Sequence, residues 1–164
     1  NKGKIMAPHV LYRKEAMTPY KPFFELEKFA FDTDAVLRVL TKWKMGFCHQ
    51  HLAYTRVHDE TQTAKLVAPM RLHLFDWFLF LNRYADHAFE TKAAKAMKRR
   101  YKRHYLRRLL KAKRKGSSQE MWDFHLQQNK TFFDTLTVWD FADATIDGVF
   151  VKLKLRPQWL PYPW

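Results

Sequence analysis

KAAKAMKRRYKRHYLRRLLKAKRK, from Lys92 to Lys115, holds 13 Lys or Arg in 24 residues and no Asp or Glu. It is rich in Ala, Leu, Met, Lys and Arg, the strong helix formers, and no Gly or Pro interrupts it before Gly116. Met97, Tyr101, Tyr105, Leu109 and Ala112 recur at steps of four, four, four and three. That spacing draws a narrow apolar stripe on a helix whose remaining arc is nearly all cation. Arg99, Arg103 and Arg107 stand four residues apart, and like charges at that spacing repel by a few tenths of a kcal/mol per pair. A bound anionic surface would relieve the repulsion.

The chain has 164 residues, 30 of them basic and 16 acidic, for a net charge of +14. Outside the basic stretch 17 cations stand against 16 carboxylates, so the excess charge sits almost entirely in one segment. The length suits one domain with extensions, large enough to bury a core. Hydrophobic residues make up 47% and aromatics 16%, which excludes a disordered basic tail. One cysteine, Cys48, excludes an intrachain disulfide and fits a reducing compartment. The longest apolar run, Trp77 to Leu81, is five residues. A membrane-spanning helix needs about 20.

Working outward, residues 1–31 contain Pro8, Pro19 and Pro22 among large apolar side chains. They read as an extended arm whose Phe23 and Phe24 make protein contacts. The chain opens on Asn1, with Lys2, Lys4, Arg13 and Lys14 preceding the first acid, Glu15. Residues 32–156 read as a single mainly helical domain. Asp32-Thr33-Asp34 marks a helix start, with Val36, Leu37, Leu40, Trp43 and Phe47 as its apolar face and Gly46 near its end. Leu74, Trp77, Phe78, Leu81, Tyr84, Ala85 and Ala88 give a core helix after Pro69. Its pattern permits one uninterrupted helix from Met70 to Lys115, about 69 Å long at 1.5 Å per residue. Ser117 and Glu120 match a capping box, after which Met121, His125, Phe132, Leu136 and Trp139 continue a helical stripe. Asp147-Gly148, followed by alternation through Val149, Val151, Leu153 and Leu155, predicts a short C-terminal β-hairpin. Residues 157–164 read as an extended tail that places Trp159, Tyr162 and Trp164 against a neighbour.

Catalytic and metal signals are weak. Cys48, His49, His51 and His58 lack the spacing that brings four ligands to one point. Asp134, Asp140, Asp143 and Asp147 have magnesium chemistry, but in so basic a chain they read as a solvated face or as internal counter-ions. No phosphate-cradling glycine motif or nucleophile elbow is present. The expectation is a non-enzymatic chain with no cofactor, no metal and no small-molecule substrate.

The basic helix therefore carries the functional reading, which is RNA binding. Lys92, Lys95, Lys98, Arg99, Arg100, Lys102, Arg103, Arg107, Arg108, Lys111, Lys113, Arg114 and Lys115 would neutralise phosphates, with His104 among them. Tyr101 and Tyr105 are read as the stripe that docks the helix on protein. An anionic membrane surface, as in a respiratory or ATP-synthase assembly, ranks lower because the stripe is thin. A DNA-binding module lacks a recognisable turn, finger or zipper. In general character the KRRYKRHYLRRLLKAKRK helix, the aromatic arm from Ala7 to Phe31 and the RPQWLPYPW tail resemble lineage-specific mitochondrial ribosomal proteins. The resemblance covers no diagnostic motif. It implies an architectural subunit of a ribonucleoprotein, located in the mitochondrial matrix, that contacts ribosomal RNA and neighbouring protein subunits.

Overall fold

In the computed structural model of the chain, residues 10–25, 30–48, 50 and 63–155 are described. Helices α1 (Lys14–Met17) and α2 (Phe31–Leu40) come first. A π-helical turn, Thr63–Val67, then leads into α3 (Ala68–Met70), α4 (Leu72–Ala88), α5 (Thr91–Arg114), α6 (Gln119–Phe132) and α7 (Val138–Lys152). The mainly helical class holds, and no strand occurs among the described residues.

The centre is an antiparallel layer of α4, α5 and α6. Helix α4 buries Leu72, Leu74, Phe75, Phe78, Leu79, Phe80 and Ala85, and α5 meets it with Tyr101, Tyr105, Leu106, Leu109 and Ala112. Phe78 lies nearly parallel to both tyrosine rings, with centroids 6.4 Å from Tyr101 and 5.3 Å from Tyr105. Aromatic pairs of this kind contribute about 0.5–1.5 kcal/mol beyond their burial. Phe75 holds α6 through edge and tilted contacts with Phe124, Phe132 and Phe133. Tyr101 and Tyr105 thus dock α5 inside its own domain.

The single helix from Met70 to Lys115 does not form. Arg71 takes a left-handed conformation, φ 54, between α3 and α4. Phe89 (φ −135, ψ 152) and Glu90 (φ −57, ψ 148) are non-helical, and they fold α5 back along α4. Periodicity runs smoothly through this point because both helices bury the same kind of face. The reversal is favourable because it covers each apolar face with the other, whereas a straight rod would leave both wet.

At its far end α5 closes with a Schellman motif. Ser117 N donates to the Ala112 carbonyl and Gly116 N to that of Lys113. Gly116, at φ 78, supplies the left-handed residue this stop requires. The next helix is capped one residue later than expected: Ser118, not Ser117, accepts the Met121 N–H at 3.2 Å.

The predicted C-terminal hairpin is the main correction. Residues 138–152 are helix α7. Its start is fixed by a capping box in which the Thr137 hydroxyl accepts from Asp140 N and the Asp140 carboxylate accepts from Thr137 N. Gly148, read as a turn residue, lies inside the helix, where an added Cβ would come 2.9 Å from Cδ of Arg107. The absent side chain makes room for α5. Alternation after Gly148 misleads because Val149 and Leu153 share one outer face of a helix as readily as alternate residues share a strand face.

The described part of the amino-terminal arm is only partly extended. It contains α1, and its aromatics form a chain of contacts, Tyr12–Phe23, Phe23–Phe24 and Phe24–Phe31, with centroids 4.8–5.8 Å apart. Arg38 of α2 clamps the arm. It donates to Glu25 Oε1 and to the Phe23 carbonyl, and its guanidinium lies 4.7 Å from the Tyr20 ring centroid. Phe23 and Phe24, expected to contact another protein, contact this chain, although Phe24 stays partly exposed. Helix α2 starts at Phe31 after an uncapped Ala30, so Asp32 is not its cap. Asp32 accepts instead from Thr33 N at 2.7 Å. Buried Asp34 ties α2 to α4 by accepting from Tyr84 OH at 2.9 Å. Trp159, Tyr162 and Trp164, like the rest of residues 157–164, lie outside the described residues.

Candidate nucleic-acid interface

Helix α7 runs parallel to α5, and its aspartates meet α5 in register. Lys102 Nζ lies 2.6 Å from Asp140. Arg103 forks onto Asp143, with Nε and Nη2 each 2.7 Å from a carboxylate oxygen. Arg107 donates to Asp147, which also lies 3.4 Å from Arg103 Nη1. Bidentate guanidinium–carboxylate pairing is the strong form of this bond. Desolvation pushes the Asp140 carboxyl up, but hydrogen bonds from Lys102 and Thr137 outweigh it and hold the group below the usual carboxylate range. These three aspartates are therefore counter-ions within the chain, one of the two roles their sequence suggested. Lys98 is paired as well, 2.5 Å from Asp86 of α4.

The middle of the basic helix is thus neutralised from within the chain, while its two ends are not. At the N-terminal end Lys92, Lys95 and Arg99 are exposed, and at the C-terminal end so are Lys111, Lys113, Arg114 and Lys115. Arg108 is partly exposed. Lys113 sits over the Trp122 ring, 4.4 Å from its centroid. None of Lys92, Lys95, Arg99, Arg108, Lys111, Arg114 or Lys115 forms an ion pair among the described residues. Arg100, also of intermediate exposure, makes further interactions.

The unpaired cations lie on more than one row of the helix. Lys95 and Arg99 continue, at steps of four, the row of Arg103 and Arg107 that meets α7. Arg108, Lys111 and Lys115 form another row, roughly a quarter turn round the helix at 100° per residue. His104 belongs to this second row. Burial, reinforced by Arg107 and Arg108, lowers it to about 4. At neutral pH it supplies no positive charge.

A buried polar group fixes how α5 sits, and residue spacing shows only its apolar half. His125 Nε2 lies 2.9 Å from the Met70 carbonyl, an acceptor, so this nitrogen carries the proton. Nδ1 is then an acceptor, and the Tyr105 hydroxyl donates to it at 2.9 Å. Asn129 Nδ2 donates to the Tyr105 oxygen and to the His125 carbonyl, both at 2.7 Å. Tyr105, His125 and Asn129 are all fully buried. Burial lowers His125 to about 4 and raises the Tyr105 hydroxyl. The triad therefore stays uncharged and orients α5 and α6 against the end of α3. Spacing places Tyr105 and His125 on apolar stripes; that their polar atoms meet depends on how the helices pack.

Among the described residues no group of three His, Cys, Asp or Glu is placed to hold a metal ion. Cys48 is exposed, and His49, His51 and His58 lie outside the described residues. Among the described residues no helix is long and apolar enough to cross a membrane. No family model, curated protein or solved structure matches the chain.

Proposed function

We propose that the chain is an architectural, non-enzymatic subunit of a ribonucleoprotein that binds RNA phosphates through the C-terminal end of α5. The observation that carries this reading is the cluster Arg108, Lys111, Arg114 and Lys115. It places four cations within about two turns, none of them ion-paired among the described residues. Such a cluster costs self-repulsion, part of which the helix C-terminus offsets. A phosphate backbone offsets more. Arg108 and Arg114 fork onto phosphates and the lysines act as point charges. The general resemblance to mitochondrial ribosomal proteins makes ribosomal RNA in the mitochondrial matrix the favoured partner, with neighbouring subunits taking the aromatic tail.

The test is binding of a single-stranded RNA oligonucleotide across a KCl titration. Four neutralised phosphates give a slope of log K on log salt near about −3. Replacing Arg108, Lys111, Arg114 and Lys115 by Gln should flatten that slope and weaken all RNA sequences alike. Salt-insensitive binding, or a loss confined to one sequence, would overturn phosphate recognition.

A further inference from the structure

Helix α7 presents its apolar side to solvent. Its acidic side, Asp140, Asp143 and Asp147, is turned inward onto α5 by ion pairs. On its outward side Trp139, Ile146, Val149 and Leu153 are all more than half exposed, Trp139 at 82%. With Ala142 they recur at steps of three, four, three and four, a stripe running the length of a helix of 15 residues. Scattered exposed apolar residues need no explanation, but a contiguous stripe of large ones marks a contact surface.

Charge around the stripe indicates what covers it. Lys152 and Lys154 are exposed at its C-terminal end. Beyond its N-terminal end, on the α5 row that faces α7, stand Lys95 and Arg99, also exposed. The aspartates of α7 are each ion-paired with α5, although the Asp143 side chain stays 47% exposed, so burying this face strips water from no unpaired carboxylate among them. A second copy fits poorly: each chain carries +14, and self-association would set the same cations against one another. The fitting occupant is apolar within and anionic at its border.

Depth narrows the choice further. Packed helices lie about 8–10 Å apart, so the α5 cations sit one helix layer behind the outer face of α7. A helix lying in a bilayer interface sinks about 5–10 Å into the boundary between headgroups and acyl chains. With α7 at that depth, the α5 cations fall at the level of the lipid phosphates. We propose that the outer face of α7 binds the surface of an anionic lipid bilayer, with Trp139, Ile146, Val149 and Leu153 among the upper acyl chains and Lys95, Arg99, Lys152 and Lys154 at the phosphates. This contact is peripheral. It uses different cations from the RNA cluster, so the protein can bind RNA while held at a membrane.

Co-sedimentation with vesicles tests it. The full chain should bind vesicles of phosphatidylcholine mixed with phosphatidylglycerol and bind pure phosphatidylcholine far less. Two neutral double variants, Trp139→Ser with Ile146→Ser and Val149→Ser with Leu153→Ser, keep the net charge and alter only exposed side chains. Each should reduce affinity for the anionic vesicles at least about tenfold, with far-UV circular dichroism and RNA affinity unchanged. Either variant, once shown to be folded, suffices. Wild-type binding by a folded variant would mean that +14 charge alone attracts the vesicles and would overturn the proposal. Failure of the native chain to bind anionic vesicles would overturn it too and leave the stripe to a partner protein. Loss of RNA binding to the native chain, with vesicle binding intact, counts against the RNA reading alone.

Discussion

Replacing Tyr105 by Phe removes one oxygen atom and keeps the ring that stacks on Phe78. That oxygen donates to His125 Nδ1 at 2.9 Å and accepts from Asn129 Nδ2 at 2.7 Å. The variant leaves the Nδ1 acceptor with no donor. Asn129 Nδ2 keeps its bond to the His125 carbonyl, so only one of its two protons is orphaned. Both groups are fully buried, so water does not replace the lost partner without a rearrangement. A buried polar group left unsatisfied costs about 1–3 kcal/mol. One complete orphan and one partial orphan therefore predict a destabilisation of about 2–4 kcal/mol. Urea unfolding at neutral pH, followed by far-UV circular dichroism, measures it as a lower midpoint at unchanged slope. A loss below about 0.5 kcal/mol, the usual effect of a surface substitution, would refute the hydrogen-bond assignment. A second expectation follows from the same logic. Replacing all three residues together, Tyr105→Phe with His125→Leu and Asn129→Leu, should cost less than the sum of the single changes, because the three no longer strand one another and only the Met70 carbonyl loses its donor.

Protonation attacks the same group. His125 is held near about 4 in the fold against its ordinary 6.5, so the folded state binds fewer protons than the unfolded state. On account of His125 alone, stability should be full above about pH 6.5 and fall by about 3 kcal/mol as pH drops toward 4, at roughly 1.4 kcal/mol per unit; His104, also lowered to about 4, adds a loss of the same sign, and urea midpoints that stay flat across this window would contradict it. Neutralising the α7 aspartates, Asp140→Asn, Asp143→Asn and Asp147→Asn, should release Lys102, Arg103 and Arg107 and steepen the RNA salt slope by about 2. An unchanged slope in that variant would mean these cations never reach RNA. Thr137→Ala removes the cap of α7 and should lower stability by about 1 kcal/mol, with midpoint shifts in urea as the readout. Ser118→Ala at the start of α6 should act similarly.

The basic helix was legible because its evidence is local. Composition, the absence of Gly and Pro, and the Met97–Ala112 stripe each depend only on neighbours in sequence, and α5 spans Thr91–Arg114, within a residue of the expected segment. The aspartates of α7 were recognisable as counter-ions by type alone. Their partners were not, because Lys102 and Asp140 are 38 positions apart and nothing local couples them. The hairpin expectation failed for a related reason. Over seven residues, alternation and a helical face share members, so Val149 and Leu153 fit either pattern. The Thr137–Asp140 capping box, a true start signal, stood just upstream of the misread segment.

By itself the sequence determined the helical class, the place and sign of the charge, and the tyrosines that dock α5. Each of these follows from residue type at fixed local spacing. Only the tertiary structure decided which of the 13 cations of that stretch remain to be used. Packing α7 parallel to α5 pairs the middle ones with aspartates and leaves cations at both ends unpaired. The same packing turned the apolar side of α7 to solvent, because ion pairing with α5 claimed its acidic side. A charge anomaly that reads as one RNA-binding face is, in the folded chain, a partly neutralised helix with a cationic cluster at each end.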